Sequence, residues 1–165
     1  MDRVLDTACV WTNAAYIIAG AAVAPVNAAG GIALMLLGVL SGLWHVSGSH
    51  PALIGDRYGM YLVAIVLMTH VGMLPEAAYW AAPLAALPLA LWVNSYTGVP
   101  PLIALSVGYR WDVLQIGALT LLVASICNLI ALPHEPRHSR LYEVLHGLWH
   151  LLTAAAFVIM FHQTA

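Results

Sequence analysis

Two short pieces of this chain hold side chains whose types and spacing suit chemistry. They are Ser41-Gly42-Leu43-Trp44-His45, followed eleven positions later by Asp56, and His146-Gly147-Leu148-Trp149-His150. Residues four apart on a helix share a face, so Ser41 points with His45 and His146 with His150. Three imidazoles and a carboxylate within reach of one another are the raw material of a metal site. A catalytic zinc commonly takes three protein ligands and keeps a fourth position for water. Both pieces also lie in stretches apolar enough to cross a membrane, where an ionisable side chain is costly and marks function by default.

Roles follow from the side-chain types. His45, His146 and His150 are expected to bind Zn2+, and zinc on neutral nitrogen ligands lowers the pKa of its water toward ~7. Asp56 would accept that water's proton and return it to a leaving amine or alcohol. Ser41, one turn before His45, would donate a hydrogen bond to the oxyanion or to the water. Trp44 and Trp149 each precede a ligand and are expected to wall the site. Were Asp56 itself a ligand, the same residues would make a closed structural site and hydrolysis would fail.

Other uses of these residues are weaker. A lone intramembrane histidine usually satisfies a hydrogen bond between helices, and His70 and His162 are read that way. His50, His134 and His138 fall in loops and are read as solvated. Haem is a rival cofactor, since paired histidines on membrane helices serve as its axial ligands. His146 and His150 share one face and cannot bracket one haem; His45 with His146, or His70 with His162, could. An intramembrane serine protease would draw on Ser41, Ser47 or Ser49, but no glycine-flanked nucleophile motif accompanies them.

The elements that must position these groups are membrane helices. Of 165 residues, 62% are hydrophobic and 7% charged, with a mean hydropathy of +0.89, whereas a soluble domain carries about a quarter charged residues. There is no lysine; the basic residues are Arg3, Arg57, Arg110, Arg137 and Arg140. A retinal Schiff base is therefore excluded. A formal charge of −2 without a basic run excludes nucleic acid as a partner. Cys9 and Cys127 lie in apolar stretches and read as buried small hydrophobes. Met1-Asp2-Arg3 is not a typical signal peptide.

About 20 apolar residues cross the hydrocarbon core, which divides the chain into seven spans within a single domain, 1–165. They lie near 8–26, 29–48, 56–73, 75–93, 97–109, 111–132 and 141–162. The expected fold is all-α, a seven-transmembrane bundle with an intramembrane metal site. The fifth span is short and interrupted by Pro100-Pro101, so it is either re-entrant or a broken helix. Small residues and prolines of the fourth and fifth spans, Ala82, Ala86, Pro100 and Pro101 among them, allow close packing or a gap for an acyl chain. Four arginines (Arg3, Arg57, Arg137, Arg140) fall on the N-terminal side and Arg110 on the other, which favours a cytoplasmic N-terminus and an external C-terminus. On this layout His45, Asp56 and His146 come to one depth, just below the arginine-rich surface.

Serine, three residues, histidine; an aspartate eleven positions on; then HxxxH in the last of seven helices. This pattern, on Ser41, His45, Asp56, His146 and His150, resembles the CREST superfamily of membrane hydrolases. That group includes the alkaline ceramidases, the adiponectin and progestin receptor family and myomaker-like proteins. His146-Gly147-Leu148-Trp149-His150-Leu151-Leu152-Thr153 is similar to the final helix of alkaline ceramidases. The resemblance implies three histidine ligands on zinc, Asp56 and Ser41 acting on the activated water, and hydrolysis of an amide or ester in a membrane lipid. It implies a lipid amide first, ceramide-like or another N-acyl lipid. Arg57 follows Asp56 where ceramidases often have a second acidic residue, so hydrolysis carries over further than ceramide does. Only Asp2 and Asp6 precede the first span, and the calcium site of the ceramidases is not carried over. Brevity suits a minimal prokaryotic member in the inner membrane. The alternatives are a phospholipase-like esterase using the same site, and a non-catalytic receptor or interaction protein with structural zinc.

Overall fold

The computed structural model describes residues 7–93, 95–131 and 139–164, and among these there are eight α-helices and no strand. In order they are α1 (Thr7–Thr12), α2 (Ala14–Val23), α3 (Ala28–Ser47), α4 (His50–His70), α5 (Ala78–Trp92), α6 (Ser95–Tyr109), α7 (Trp111–Ala131) and α8 (Arg140–Gln163). Four of them, α3, α4, α7 and α8, are long and apolar enough to cross a membrane. Arg3, Arg137, His134, His138, Asp2 and Asp6 lie outside the described residues.

The expected first span is two helices in line, separated at Asn13. Its backbone stays helical (φ −64, ψ −21). Its side-chain amide, however, donates to the Cys9 carbonyl at 2.7 Å, and Tyr16 N–H turns back to the Asn13 carbonyl at 3.1 Å, a tighter three-residue step. The asparagine thus shares the Cys9 carbonyl with its own backbone N–H, which donates to it at 3.3 Å. The expected third span began at 56; the helix begins six residues earlier, at His50. Pro51 sits in the first turn, where its missing N–H is no loss, and Ser49 caps the helix by accepting from Ala52 N–H at 3.4 Å. Before it, Gly48 closes α3 in the left-handed conformation (φ 53), the usual place for glycine at a helix end. Gly48-Ser49 therefore turns α3 straight back into α4. Over Ser95–Tyr109 the fifth span runs as one helix with both prolines inside.

Neighbouring helices close a ring: α2 packs on α3, α3 on α4, α4 on α6, α6 on α7, α7 on α8, and α8 on α2. α5 stands outside it, laid against α4 through buried Ala82, Ala86 and Ala90. This explains why α4 is buried continuously from Tyr61 to Thr69. Small residues let backbones meet. A Cβ on Gly31 would sit 2.7 Å from Ala24 Cα and from the Gly20 carbonyl oxygen, and one on Gly59 would sit 2.9 Å from Leu37 Cα.

Away from the ring interior the surface is apolar. Ile18, Ile32, Leu84 and Leu129 are each more than 60% exposed. Exposed Trp11, Trp80, Trp92 and Trp111 lie at or near helix ends, the positions that aromatic side chains take at a membrane–water interface.

Candidate metal centre

Three helices deliver the donors. His45 lies in the last turn of α3, and His146 and His150 lie on one face of α8, whose start is capped by Ser139 accepting from Tyr142 N–H at 3.0 Å. The ring centroids of His45 and His146 are 5.2 Å apart, those of His45 and His150 5.2 Å, and those of His146 and His150 4.7 Å. All three are buried, His150 completely. The structure thus gathers the three predicted histidines into one cluster inside the bundle.

Cys9 of α1 joins them. One donor atom from each of Cys9, His45 and His146 lies within 4.8 Å of the others, and this group can hold a metal ion. A tetrahedral zinc shell sets neighbouring donors about 3.3–3.6 Å apart, so side-chain adjustments of about an ångström complete it. His150 is not in that 4.8 Å set, although its ring flanks both other imidazoles. Cys9 is indeed buried beside Ala131 and Tyr142, as a small hydrophobe would be, but its sulfur is also a donor. The signal for it was depth: Cys9 enters near the start of the first span, on the side that carries His45 and His146.

Hydrogen bonds bear on which ring nitrogen is basic. Asn128 Oδ1, which can only accept, lies 3.1 Å from His146 Nδ1, so Nδ1 carries the proton and Nε2 the lone pair. The Thr12 hydroxyl lies 3.0 Å from the Ala8 carbonyl and 3.0 Å from His150 Nδ1. With its proton on that carbonyl, its lone pair would accept from Nδ1–H and leave the lone pair of the ring on Nε2. His150 Nε2 is left buried with no hydrogen-bond partner among the described residues. A buried, unpaired basic nitrogen is costly unless something binds it, and metal-ligating histidines characteristically donate their other N–H to a protein acceptor. The donors present therefore suit a metal ion.

Aromatic rings enclose the cluster. Tyr142 stacks on His146 at 5.0 Å, Trp149 lies 5.0 Å from His146 and 5.1 Å from His150, and Tyr16 meets His150 edge-on at 5.8 Å. Trp149 thus walls the site as expected. Ser41 is buried on α3 one turn before His45. Asp56, half-buried in α4 just past the Gly48-Ser49 turn, is not among the grouped donors.

A cavity of about 520 Å³ lies among the ring helices and opens outward past exposed Leu122 and Leu129. All six ring helices line it and no α5 residue does; Ala82 and Ala86 of the fourth span pack on α4. The cavity is apolar, lined by Leu37, Val63, Ile103, Leu121 and Phe157 among others, and it reaches the cluster through Tyr16, Asn128 and Trp149. Thr153 on its wall has a buried hydroxyl without a hydrogen-bond partner among the described residues.

The other expected histidine and serine roles also find their places. His70 Nε2 meets the Phe161 carbonyl at 3.0 Å and its Nδ1 meets Asn27 Nδ2 at 3.0 Å; His162 Nε2 meets the Ala22 carbonyl at 3.2 Å. These tie helices together and leave His70 no nitrogen for haem. Imidazoles as close as His45 and His146 leave no room for a porphyrin between them. His50 is exposed at the start of α4. Ser47 donates to the Leu43 carbonyl at 2.8 Å and Ser49 caps α4, so both serve local structure. Cys9 and Cys127 are thiols, not a disulfide. Compared with family models, with curated proteins and with solved structures, the chain matches none.

Proposed function

We propose that this chain is a zinc-dependent integral-membrane hydrolase that cleaves a lipid amide, ceramide-like or another N-acyl lipid, and that it belongs with the CREST hydrolases its motifs resemble. The observation that carries this is a cluster of three buried imidazoles: two have Nδ1 held by Asn128 and Thr12, and one Nε2 is left unpaired. His45, His146 and His150 hold the ion. When bound, zinc acidifies a water and polarises a carbonyl, supplying nucleophile and electrophile at neutral pH. Asp56 accepts the proton released as water's oxygen bonds the acyl carbon, and returns it to the amine nitrogen as the C–N bond breaks. Ser41 donates to the oxygen that gains charge.

Support for a lipid substrate comes from the cavity. Its size falls within the ~300–1,000 Å³ typical of ligand sites, its walls are apolar, and it is lined by Tyr16, Asn128 and Trp149, which touch the histidines. An acyl chain would fill it, with the Thr153 hydroxyl available to the polar head of the lipid. Described Arg57 and Arg140 lie at the metal end of the bundle and Arg110 at the other, which supports a cytoplasmic metal end in a bacterial inner membrane.

One observation speaks for a second function, a non-catalytic protein whose ion clamps helices: Cys9 adds a donor to the group, and a fully ligated zinc is structural. Incubating the purified protein and His150→Ala with a membrane lipid extract and measuring freed fatty acid separates the two. Hydrolysis requires release by the native protein and its loss in the variant; equal release ends the hydrolase proposal.

A further inference from the structure

We propose that the Cys9 sulfur is a fourth ligand of the metal, so that the resting protein holds its ion in a filled tetrahedron of one thiolate and three imidazoles, and hydrolysis requires the Cys9 corner to be vacated. This rests on the zinc proposal above. Two independent observations meet here. The Cys9 donor lies within 4.8 Å of donors on both His45 and His146, and the unpaired Nε2 belongs to His150, whose ring lies 5.2 Å from that of His45 and 4.7 Å from that of His146. Together these are four donors from α1, α3 and α8, the number that closes a tetrahedral zinc shell.

The chemistry favours the thiol over water at that corner. Cys9 is wholly buried. On binding, the S–H bond breaks, the S–Zn bond forms and the proton leaves to water, as metal binding by cysteine requires. The thiolate then offsets part of the ion's charge in a low-dielectric interior, which a neutral water cannot do.

The fold gives Cys9 a means of leaving. α1 is six residues long, and at its end the Cys9 carbonyl is shared between the Asn13 backbone N–H at 3.3 Å and the Asn13 side-chain amide at 2.7 Å. The helix packs on α8 and α3, and Thr12 meets His150 across the α8 contact. A small swing of α1 about Asn13 would withdraw the sulfur while α3 and α8 keep the imidazoles in place: the S–Zn bond breaks, a water takes the corner, and that water's proton passes to the thiolate to restore the S–H bond.

Zinc-edge X-ray absorption on the full-length, zinc-loaded protein in detergent tests this. One sulfur scatterer at about 2.3 Å among nitrogens at about 2.0–2.1 Å is expected, retained in Cys127→Ser and lost in Cys9→Ser. A native shell of nitrogen and oxygen alone overturns the Cys9 ligand and leaves the zinc proposal standing; no bound zinc overturns both. Cobalt substitution gives a second readout on the native protein, with a near-ultraviolet sulfur-to-cobalt band expected and its absence decisive against. Cys9→Ala, loaded with zinc, should release fatty acid faster than the native protein, and equal or slower release overturns the closing role.

Discussion

Asn128→Leu removes the acceptor that holds His146 while keeping a side chain of similar size. In the native protein His146, 3% exposed, gives its Nδ1 proton to Asn128 Oδ1 over 3.1 Å. Without that acceptor, a ligating ring must bury an unpaired N–H, which costs about 1–3 kcal/mol. The alternative is to move the proton to Nε2, which relieves the penalty but abolishes the lone pair facing the other donors. Either way the loss falls on the metal-bound state. At 1.4 kcal/mol per factor of ten it corresponds to roughly 5–150-fold weaker binding, overlapping the ~10–100-fold typical when an outer partner of a ligand is removed. Competition with a chromophoric chelator, on protein checked for helicity by circular dichroism, measures it directly. Asn128→Asp keeps an acceptor and should bind at least as tightly as the native protein. A helical Asn128→Leu variant within twofold of native affinity, or Asn128→Asp weaker than Asn128→Leu, would refute this tautomer assignment.

Further outcomes are expected elsewhere. Asp56→Asn should keep its zinc and lose about 10²–10⁴ in turnover, the range for removal of a general acid–base group; elemental analysis and a fatty-acid assay on one preparation check both halves. Ala118→Trp places a large ring in the cavity and should strongly slow lipid cleavage at unchanged metal content, whereas unchanged cleavage would exclude the cavity as the acyl site. Gly31→Ala forces a methyl against the α2 backbone at 2.7 Å and should destabilise the bundle by about 1–3 kcal/mol, read as a lower thermal midpoint in detergent.

Much of this architecture was legible because hydropathy and helix punctuation are local. Spans at 29–48, 111–132 and 141–162 match α3, α7 and α8 to within a residue at each end. Placing the third span at 56 missed the first turn of α4, since a proline in a first turn, as Pro51 is, and a proline that breaks a helix look alike until the Ser49 cap is seen. The gathering of His45, His146 and His150 followed from HxxxH and from depth. Cys9, Thr12 and Asn128 were not found. Each acts across a helix–helix contact, and no spacing along the chain encodes which neighbour a helix meets. Depth alone would have flagged them, since all three lie near the end of the bundle that carries the histidines. That α5 stays outside the ring was likewise invisible, because a helix against a neighbour and one against lipid are equally apolar.

Elemental analysis of the chain purified without chelator, beside His146→Ala prepared identically, tests most directly whether these imidazoles hold an ion. Near-stoichiometric zinc in the native protein and its loss in the variant are predicted. A native protein that takes up no zinc even when it is supplied, or a variant that keeps the same content, would contradict the metal centre.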